Sequence, residues 1–307
     1  MLISVCIPTY SRLNYLQIAI ESILRQTYQD YEICVSLDPK MTGPDPAIHV
    51  WCTQLALVNP RVRYHVNEQN VGLAGNWNVL AQIAKGDYAI IIGDDDTLEI
   101  DYLERVVANL ANSNADVVFT DQNFIGPDGE ILPELSTQMS IEYYRSQLPI
   151  GILADPIESV LKNSIPMSSS IIRRTLLLKH PFDPILNTPE LEVFLKIAVS
   201  GGVFEYIDSR CANYRVHPGS ETSGGLKLHY MLNNIIPVQV PEKYEALKFD
   251  LIAHKIIPAI NNCLREGNTE LAQSLLNSPY YPSKKGHIKV IQNLLLYFPT
   301  RLVKSLI

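Results

Sequence analysis

The chain predicts an α/β fold with a mostly parallel central sheet flanked by helices and a helical C-terminal extension. Two observations predict it. Short β-branched apolar runs alternate with segments of helical periodicity, and the polar residues that follow the runs gather at the strand ends, where such sheets bind ligands.

Residues 2–7, LISVCI, read as a first strand closed by Pro8, and Tyr15, Ile18, Ala19, Ile23 and Leu24 then recur at helical spacing. Residues 31–38 give a second strand ending in Asp38. After a Pro/Gly-rich loop, residues 48–58 read as a second helix. Residues 61–67 supply a third strand, 75–85 a third helix, and 87–96, DYAIIIGDDD, a fourth strand. A helix over 101–113 follows. Residues 115–132 are expected to form a hairpin-like pair around the turn signal Pro127-Asp128-Gly129. Beyond about residue 136 the pattern loosens. Residues 156–163 and 166–180 predict helix and strand-to-helix segments, 189–202 a helix ended by Gly201 and Gly202, and 203–217 another strand pair. From about residue 226 the chain is helical. The division expected is an α/β domain over residues 1–225, with halves 1–125 and 126–225, and a helical region over 226–307.

Length and charge narrow the function. At 307 residues the chain can bury a large core, and a formal net charge of -7 argues against nucleic acid as a partner, because phosphate contacts need clustered Lys and Arg. Cys6, Cys34, Cys52, Cys211 and Cys263 are odd in number and scattered, so core thiols in a reducing compartment are expected. No basic leader opens the chain and no stretch approaches the roughly 20 apolar residues that span a bilayer, which predicts a cytoplasmic location. From Leu271 to Ile307 there is no acidic residue. Lys284, Lys285, Lys289, Arg301 and Lys304 there accompany Ile288, Ile291, Leu295, Phe298, Leu302 and Ile307. Such a tail is either an ordinary packed helix with a basic face or a peripheral contact with an anionic membrane.

The chemistry concentrates in Asp94, Asp95 and Asp96, which close the fourth strand. Three adjacent carboxylates at the end of an apolar segment repel one another and are costly to desolvate. An acidic turn in water tolerates that, and so does a divalent cation among them. Pro8, Thr9 and Tyr10, Asp38, and the stretch from Asn67 to Gly72 reach the same edge from three other strands, which favours a site.

Taken in order, SVCIPTYSRLNYLQIAIESILRQTYQDYEICVSLD, NVGLAGNWNVLAQIAKGDYAIIIGDDD, PELEVFLKIA and YRVHPGS resemble a bacterial family 2 glycosyltransferase with the GT-A, Rossmann-like fold. The similarity is dense over residues 1–125 and thinner to about 223. It implies transfer of a sugar, with inversion, from a nucleotide-diphosphate donor to an acceptor hydroxyl, in surface polysaccharide or other glycan synthesis. Residues 1–125 would then bind the donor and 126–225 face the acceptor. A UDP- or dTDP-sugar donor and a glycan or lipid-linked acceptor are the partners implied, with Mg2+ or Mn2+ as cofactor, suited to hard oxygen ligands and a diphosphate.

The resemblance also distributes roles. Asp96 is expected as the direct metal ligand, with Asp95 and His217 beside it, and Asp94 or Asp95 on ribose or a metal-bound water. The usual pattern has an Asp where this chain has Gly93. Pro8, Thr9 and Tyr10 match the loop beside the base, Arg12 adds positive charge, and Asp38 matches a carboxylate facing a uracil or thymine edge, unless it only forms the turn before Pro39. Leu37 replaces that carboxylate's usual acidic neighbour. Asn70 and Gly72 keep a family turn. Asn76 and Asn78 are either diphosphate or ribose contacts or helix-start residues. Arg215 is expected to help neutralise the leaving group. Glu190 matches the family's catalytic Asp, the base that takes the acceptor proton; Glu192 is its rival, and a helix-start carboxylate is also ordinary capping chemistry. A non-catalytic sugar-nucleotide-binding relative stays open because of Leu37, Gly93 and Glu190. A sugar-nucleotide nucleotidyltransferase is disfavoured, since CIPTYSRLNY has no Gly to cradle a triphosphate.

Overall fold

The computed structural model describes residues 1–220 and 225–306. Four strands open the fold: β1 (Ile3–Thr9), β2 (Tyr31–Leu37), β3 (Val62–Val66) and β4 (Tyr88–Ile91). They alternate with helices α1 (Leu13–Leu24), α2 (Pro46–Val58) and α3 (Gly72–Ile83) and pair in parallel in the order β3-β2-β1-β4. The chain leaves β1 toward β2 and β3, then returns past β1 to β4, so the strand order reverses between β1 and β4. A crevice opens beyond the carboxyl ends of strands at such a reversal.

Pro8 does not close β1 but lies within it, opposite Ser36. The Asp38 N–H donates to the Thr9 carbonyl on the β2 side, so Pro8 faces the β4 side, where the ladder has stopped at Cys6. Its missing N–H leaves no ladder bond unmade.

The second half continues with β5 (Thr97–Leu98), α4 (Tyr102–Leu110), β6 (Val117–Ile125), α5 (Pro133–Glu142), β7 (Gly151–Ile152), α6 (Pro156–Leu161), β8 (Ser170–Arg173), α7 (Arg174–Lys179), α8 (Glu190–Val199) and β9 (Phe204–Arg215). Strand β8 enters antiparallel between β4 and β6, and β9 lies parallel to β6. The short strands β5 and β7 pair antiparallel with β9.

Three local expectations are corrected. Residues 115–132 form one strand rather than a hairpin-like pair: the Pro127-Asp128-Gly129 turn exists, with Gly129 at φ +93°, but only a single bridge, Ile125 to Ile131, follows it before α5. Residues 203–217 likewise give one strand, bulged where Thr120, Asp121 and Gln122 face Ile207, Arg210 and Ala212. The fourth strand stops at Ile91, which frees Asp94 to Asp96 to turn over the sheet end.

Alternation along β1 divides the core. Ile3, Val5 and Ile7 pack with Leu16, Ile20 and Ile23 of α1, Ile48 and Cys52 of α2, and Leu103 and Val106 of α4. Cys6 faces the other way, toward Ala74, Trp77 and Leu80 of α3 and Val193 and Phe194 of α8. The C-terminal helices α9 (Leu228–Ile235), α10 (Glu245–Glu266), α11 (Thr269–Leu276), α12 (Gly286–Leu295) and α13 (Thr300–Leu306) join this second cluster through Leu232, Ile256, Leu264, Leu275, Leu295 and Val303. All five cysteines are buried and free. No described helix is long and apolar enough to cross a membrane.

Candidate active site

The reversal between β1 and β4 is bridged by side chains. Thr9 Oγ1, at the end of β1, donates to Asp94 Oδ2 at 2.7 Å. Arg12, just before α1, forks across two carboxylates: Nη2 meets Asp94 Oδ1 at 2.5 Å and Nη1 meets Asp95 Oδ2 at 2.6 Å. Asp95 Oδ2 also lies 2.9 Å from His217 Nε2. Because His217 Nδ1 accepts from the Gly219 N–H at 3.1 Å, the ring proton belongs on Nε2 and points at Asp95. Ligating a cation through Nε2 requires that bond to break. The His217 ring leans on Tyr15, over which the Arg215 guanidinium also sits.

Asp96 turns inward. Its Oδ1 accepts the Arg215 N–H at 2.9 Å, and Ser168 also hydrogen-bonds the carboxylate. Burial pushes Asp96 up to about 7, with Asp95 adding to the rise, and pushes Asp94 up to about 6 even though Arg12 pulls the other way. Both are raised chiefly by burial, and the single Arg12 guanidinium pairs with two of the three carboxylates, Asp94 and Asp95. Among the described residues no three acidic, His or Cys side chains already form a closed metal cage. Hard oxygens with uncompensated charge on one open edge fit a divalent cation whose remaining positions are filled by phosphate and water oxygens. Gly93 fits the same picture, since a Cβ there would lie 2.5 Å from Asp95 Oδ1 and 3.1 Å from Asp96 Oδ2. The carboxylates fold back over the space that the usual Asp would fill.

Two cavities meet at the Arg12–Asp94 pair. One, of about 520 Å³, is lined by Pro8, Thr9, Tyr10, Asp38, Asn70 and Gly72, with Asn76 at its base. The other, of about 560 Å³, runs past Asp95, Asp96 and Arg215 to Glu190. Expected residues from four strand ends thus converge on one edge.

Several of them carry structural duties there. Asp38 accepts from Asn67 Nδ2 at 3.0 Å and from the Val71 and Gly72 N–H groups, pinning the loop that starts α3. Gly72 takes φ +73°, and Asn70 Oδ1 accepts its N–H. Asn76 is buried between Asn67 and the Ser36 carbonyl. Arg215 donates from Nη1 to the Gly126 and Pro127 carbonyls, tying the end of β9 to the turn after β6. Asn78 is a correction: it lines neither cavity and clamps Phe182 through both its amide atoms, 2.7 Å to the carbonyl and 2.9 Å from the N–H. Neither Asn starts a helix, because α3 begins at Gly72.

The two glutamates of α8 separate clearly. Glu192 is buried, ion-paired with Lys196, and accepts from Asn234 Nδ2 at 2.8 Å. Glu190 lines the second cavity, and burial pushes its carboxyl up to about 7. A group there is protonated in mild acid and ionised just above neutrality, the range a general base needs. Sequence reasoning missed Gln122, Arg145, Ser168 and Lys255, which line the same cavity. They come from β6, from turns and from α10, far from every motif, and no local signal marks them.

Comparison with known proteins gives the family and the fold. The sequence profile described as "Glycosyl transferase family 2" matches residues 4–159, half of the chain. The abequosyltransferase RfbV of Salmonella typhimurium is 36% identical over 130 residues, 42% of this chain and 38% of that protein. A chondroitin synthase of Pasteurella multocida is 28% identical over 223 residues, 72% of this chain and 21% of its own. The chain therefore spans less than half of either relative. In architecture it is similar to S. aureus TarS 1–349, solved in complex with UDP-GlcNAc, at TM-score 0.66 and 16% identity, covering 99% of this chain and 88% of that one. It is also similar to the mannosyltransferase PcManGT of Pyrobaculum calidifontis, solved with GDP-Man and Mn2+, at TM-score 0.61 and 14% identity, covering 99% and 83%. These likenesses give the GT-A fold. The chain belongs to glycosyl transferase family 2.

Proposed function

We propose that the protein moves a sugar, with inversion, from a nucleoside-diphosphate donor, UDP- or dTDP-linked, to a hydroxyl of a glycan or lipid-linked acceptor in surface polysaccharide synthesis. The observation that carries this reading is the meeting of two cavities at the Arg12–Asp94 pair, with the acidic triplet between them and Glu190 in the second. The first cavity suits a nucleoside, with Tyr10 exposed at its mouth and the 70–72 turn along one wall.

Each residue then has a task. Arg12 brings a guanidinium to the side where the diphosphate would lie. Asp95 and Asp96, with His217, would hold a Mg2+ or Mn2+ ion, which when bound neutralises the diphosphate as it leaves. Glu190 accepts the acceptor hydroxyl proton while the new bond forms from that oxygen to the anomeric carbon and the bond to the phosphate oxygen breaks. The apolar walls beside Glu190, among them Trp77 and Leu191, exclude water that would compete with the acceptor.

The tail supports attachment to the inner face of the cytoplasmic membrane. Ile291, Leu294, Tyr297, Phe298 and Leu302 are exposed together on α12, α13 and the turn between them, beside Lys284, Lys285, Lys289, Arg301 and Lys304. Thermal stabilisation by a panel of UDP-, dTDP- and GDP-sugars with Mn2+ tests the donor assignment, because a ligand that binds the native state raises its melting temperature. A shift with one UDP- or dTDP-sugar is expected, and no shift with any member rejects the reading.

A further inference from the structure

The Glu190 cavity has a second wall that the transfer chemistry does not use. It is built from Gln122 on β6, Arg145 in the 3-10 turn at Arg145–Gln147, and Lys255 on α10. None of these residues lines the nucleoside cavity.

Two of these three residues are cations. Lys255 is partly exposed and has no ion pair among the described residues. Arg145 is only 3% exposed, and its Nη1 meets Asp121 Oδ1 at 3.1 Å. The other oxygen of Asp121 is taken by Arg210 at 3.0 Å, so two guanidiniums share one carboxylate. Arg210 is 35% exposed and reaches water, whereas the buried Arg145 has only a share of Asp121, and an anion in the cavity would complete its pairing. A buried donor beside the cavity, Arg145 Nε, has no hydrogen-bond partner among the described residues, and an anion supplies the acceptor it lacks. A buried donor left unpaired is costly, and a native structure keeps that cost where a ligand, a water or a rearrangement relieves it.

We infer that Arg145 and Lys255 read an anionic group on the acceptor, a phosphate or a carboxylate close to the hydroxyl that receives the sugar. The inference rests on the transferase reading above, with Glu190 marking where that hydroxyl lies. Lys255 belongs to α10, so the C-terminal helices form part of the acceptor site. Leu228 and Met231 of α9, which line the same cavity, support this placement. Lys255 is a specificity residue here and takes no part in bond making.

The test measures capture of the sugar, from whichever UDP- or dTDP-sugar the protein hydrolyses with Mn2+, by two pairs of small alcohols. Glycerol 3-phosphate is compared with glycerol, and glucuronic acid with glucose. One anionic member is expected to accept sugar about tenfold better than its neutral partner, as one added charge-assisted contact would give. Glycerol 3-phosphate winning identifies a phosphate, and glucuronic acid winning identifies a carboxylate. Lys255→Gln should bring the ratio near one by raising acceptor KM more than it lowers kcat, and Lys255→Arg should retain it. Equal capture of charged and neutral alcohols, no capture of any of them, or a preference unchanged in Lys255→Gln overturns the subsite while UDP or dTDP release still occurs. No nucleotide release from any sugar nucleotide overturns the transferase reading itself, and the subsite with it.

Discussion

Arg12 holds Asp94 and Asp95 with one guanidinium, 2.5 Å and 2.6 Å from their oxygens, in the place where a sugar donor would bring its diphosphate. The charge of Asp94 and Asp95 is therefore partly balanced by a side chain that can also meet phosphate. Arg12→Met should leave Asp94 buried and unpaired, lowering stability by about 2 kcal/mol in the absence of divalent cation. Thermal melting checks this. Mn2+ should recover more stability in Arg12→Met than in the parent, because it supplies the missing positive charge.

Glu190→Gln keeps the size of the side chain and removes its basicity. Turnover should fall about 10²–10⁴-fold, while UDP affinity measured by calorimetry stays within twofold. In the parent, the rate should rise with pH through about 7, where Glu190 ionises, and then level. Glu192→Gln should instead reduce stability, since it releases Lys196 and weakens the tie to Asn234, without moving that pH midpoint. Equal rates in Glu190→Gln and the parent reject the base assignment.

Stability should also depend on pH in a definite direction. Asp94 and Asp96 have folded-state values of about 6 and about 7, above the ordinary carboxylate range. Groups raised in this way favour the folded state most when protonated, below the unfolded pKa. Their contribution is lost as pH rises through the folded values. Without divalent cation, the protein should lose on the order of 5 kcal/mol between pH 4 and pH 7.5 from these two groups, at about 1.4 kcal/mol for each pH unit by which a folded value exceeds the ordinary one. Denaturant melts with a chelator present measure it, and Mn2+ with UDP should flatten the slope.

Membrane attachment is best tested by substitution. Leu295 and Val303 are buried in the core beneath the tail, so truncation would damage the fold as well as the surface. Leu294→Asn, Tyr297→Asn and Phe298→Asn together change side chains that are 58%, 85% and 49% exposed. The triple variant should keep its melting temperature and lose at least tenfold in binding to phosphatidylglycerol vesicles. Unchanged vesicle binding would contradict a peripheral role for this face.

The first half of the fold was legible because strand, loop and helix each leave a local signature. The alternation through residue 91 fixes four parallel strands, and the strand order places Thr9, Asp38, Asn70 and Asp94 on one edge. The second half was less legible. Strand β6 reads as half of a hairpin because its turn signal at 127–129 is real, yet its true partners β8 and β9 lie about 50 and 90 residues away in sequence. Within the site, residue type pointed to Asp94, Asp95 and Asp96, and the family resemblance to Glu190 with Glu192 as its rival. It could not show that Asn78 is spent on Phe182 or that Glu192 is spent on Lys196. Lys255 gives no signal at all, being one Lys in an amphipathic helix until the fold brings it to the cavity.

Calorimetric titration of a UDP- or dTDP-sugar into the protein with and without Mn2+, repeated with Asp96→Asn, tests the acidic triplet most directly. Asn keeps an oxygen for the Arg215 N–H and removes the charge. Mn2+-dependent binding is expected in the parent, weakened at least tenfold in Asp96→Asn. Binding of equal strength with and without Mn2+, unaffected by Asp96→Asn, would contradict it.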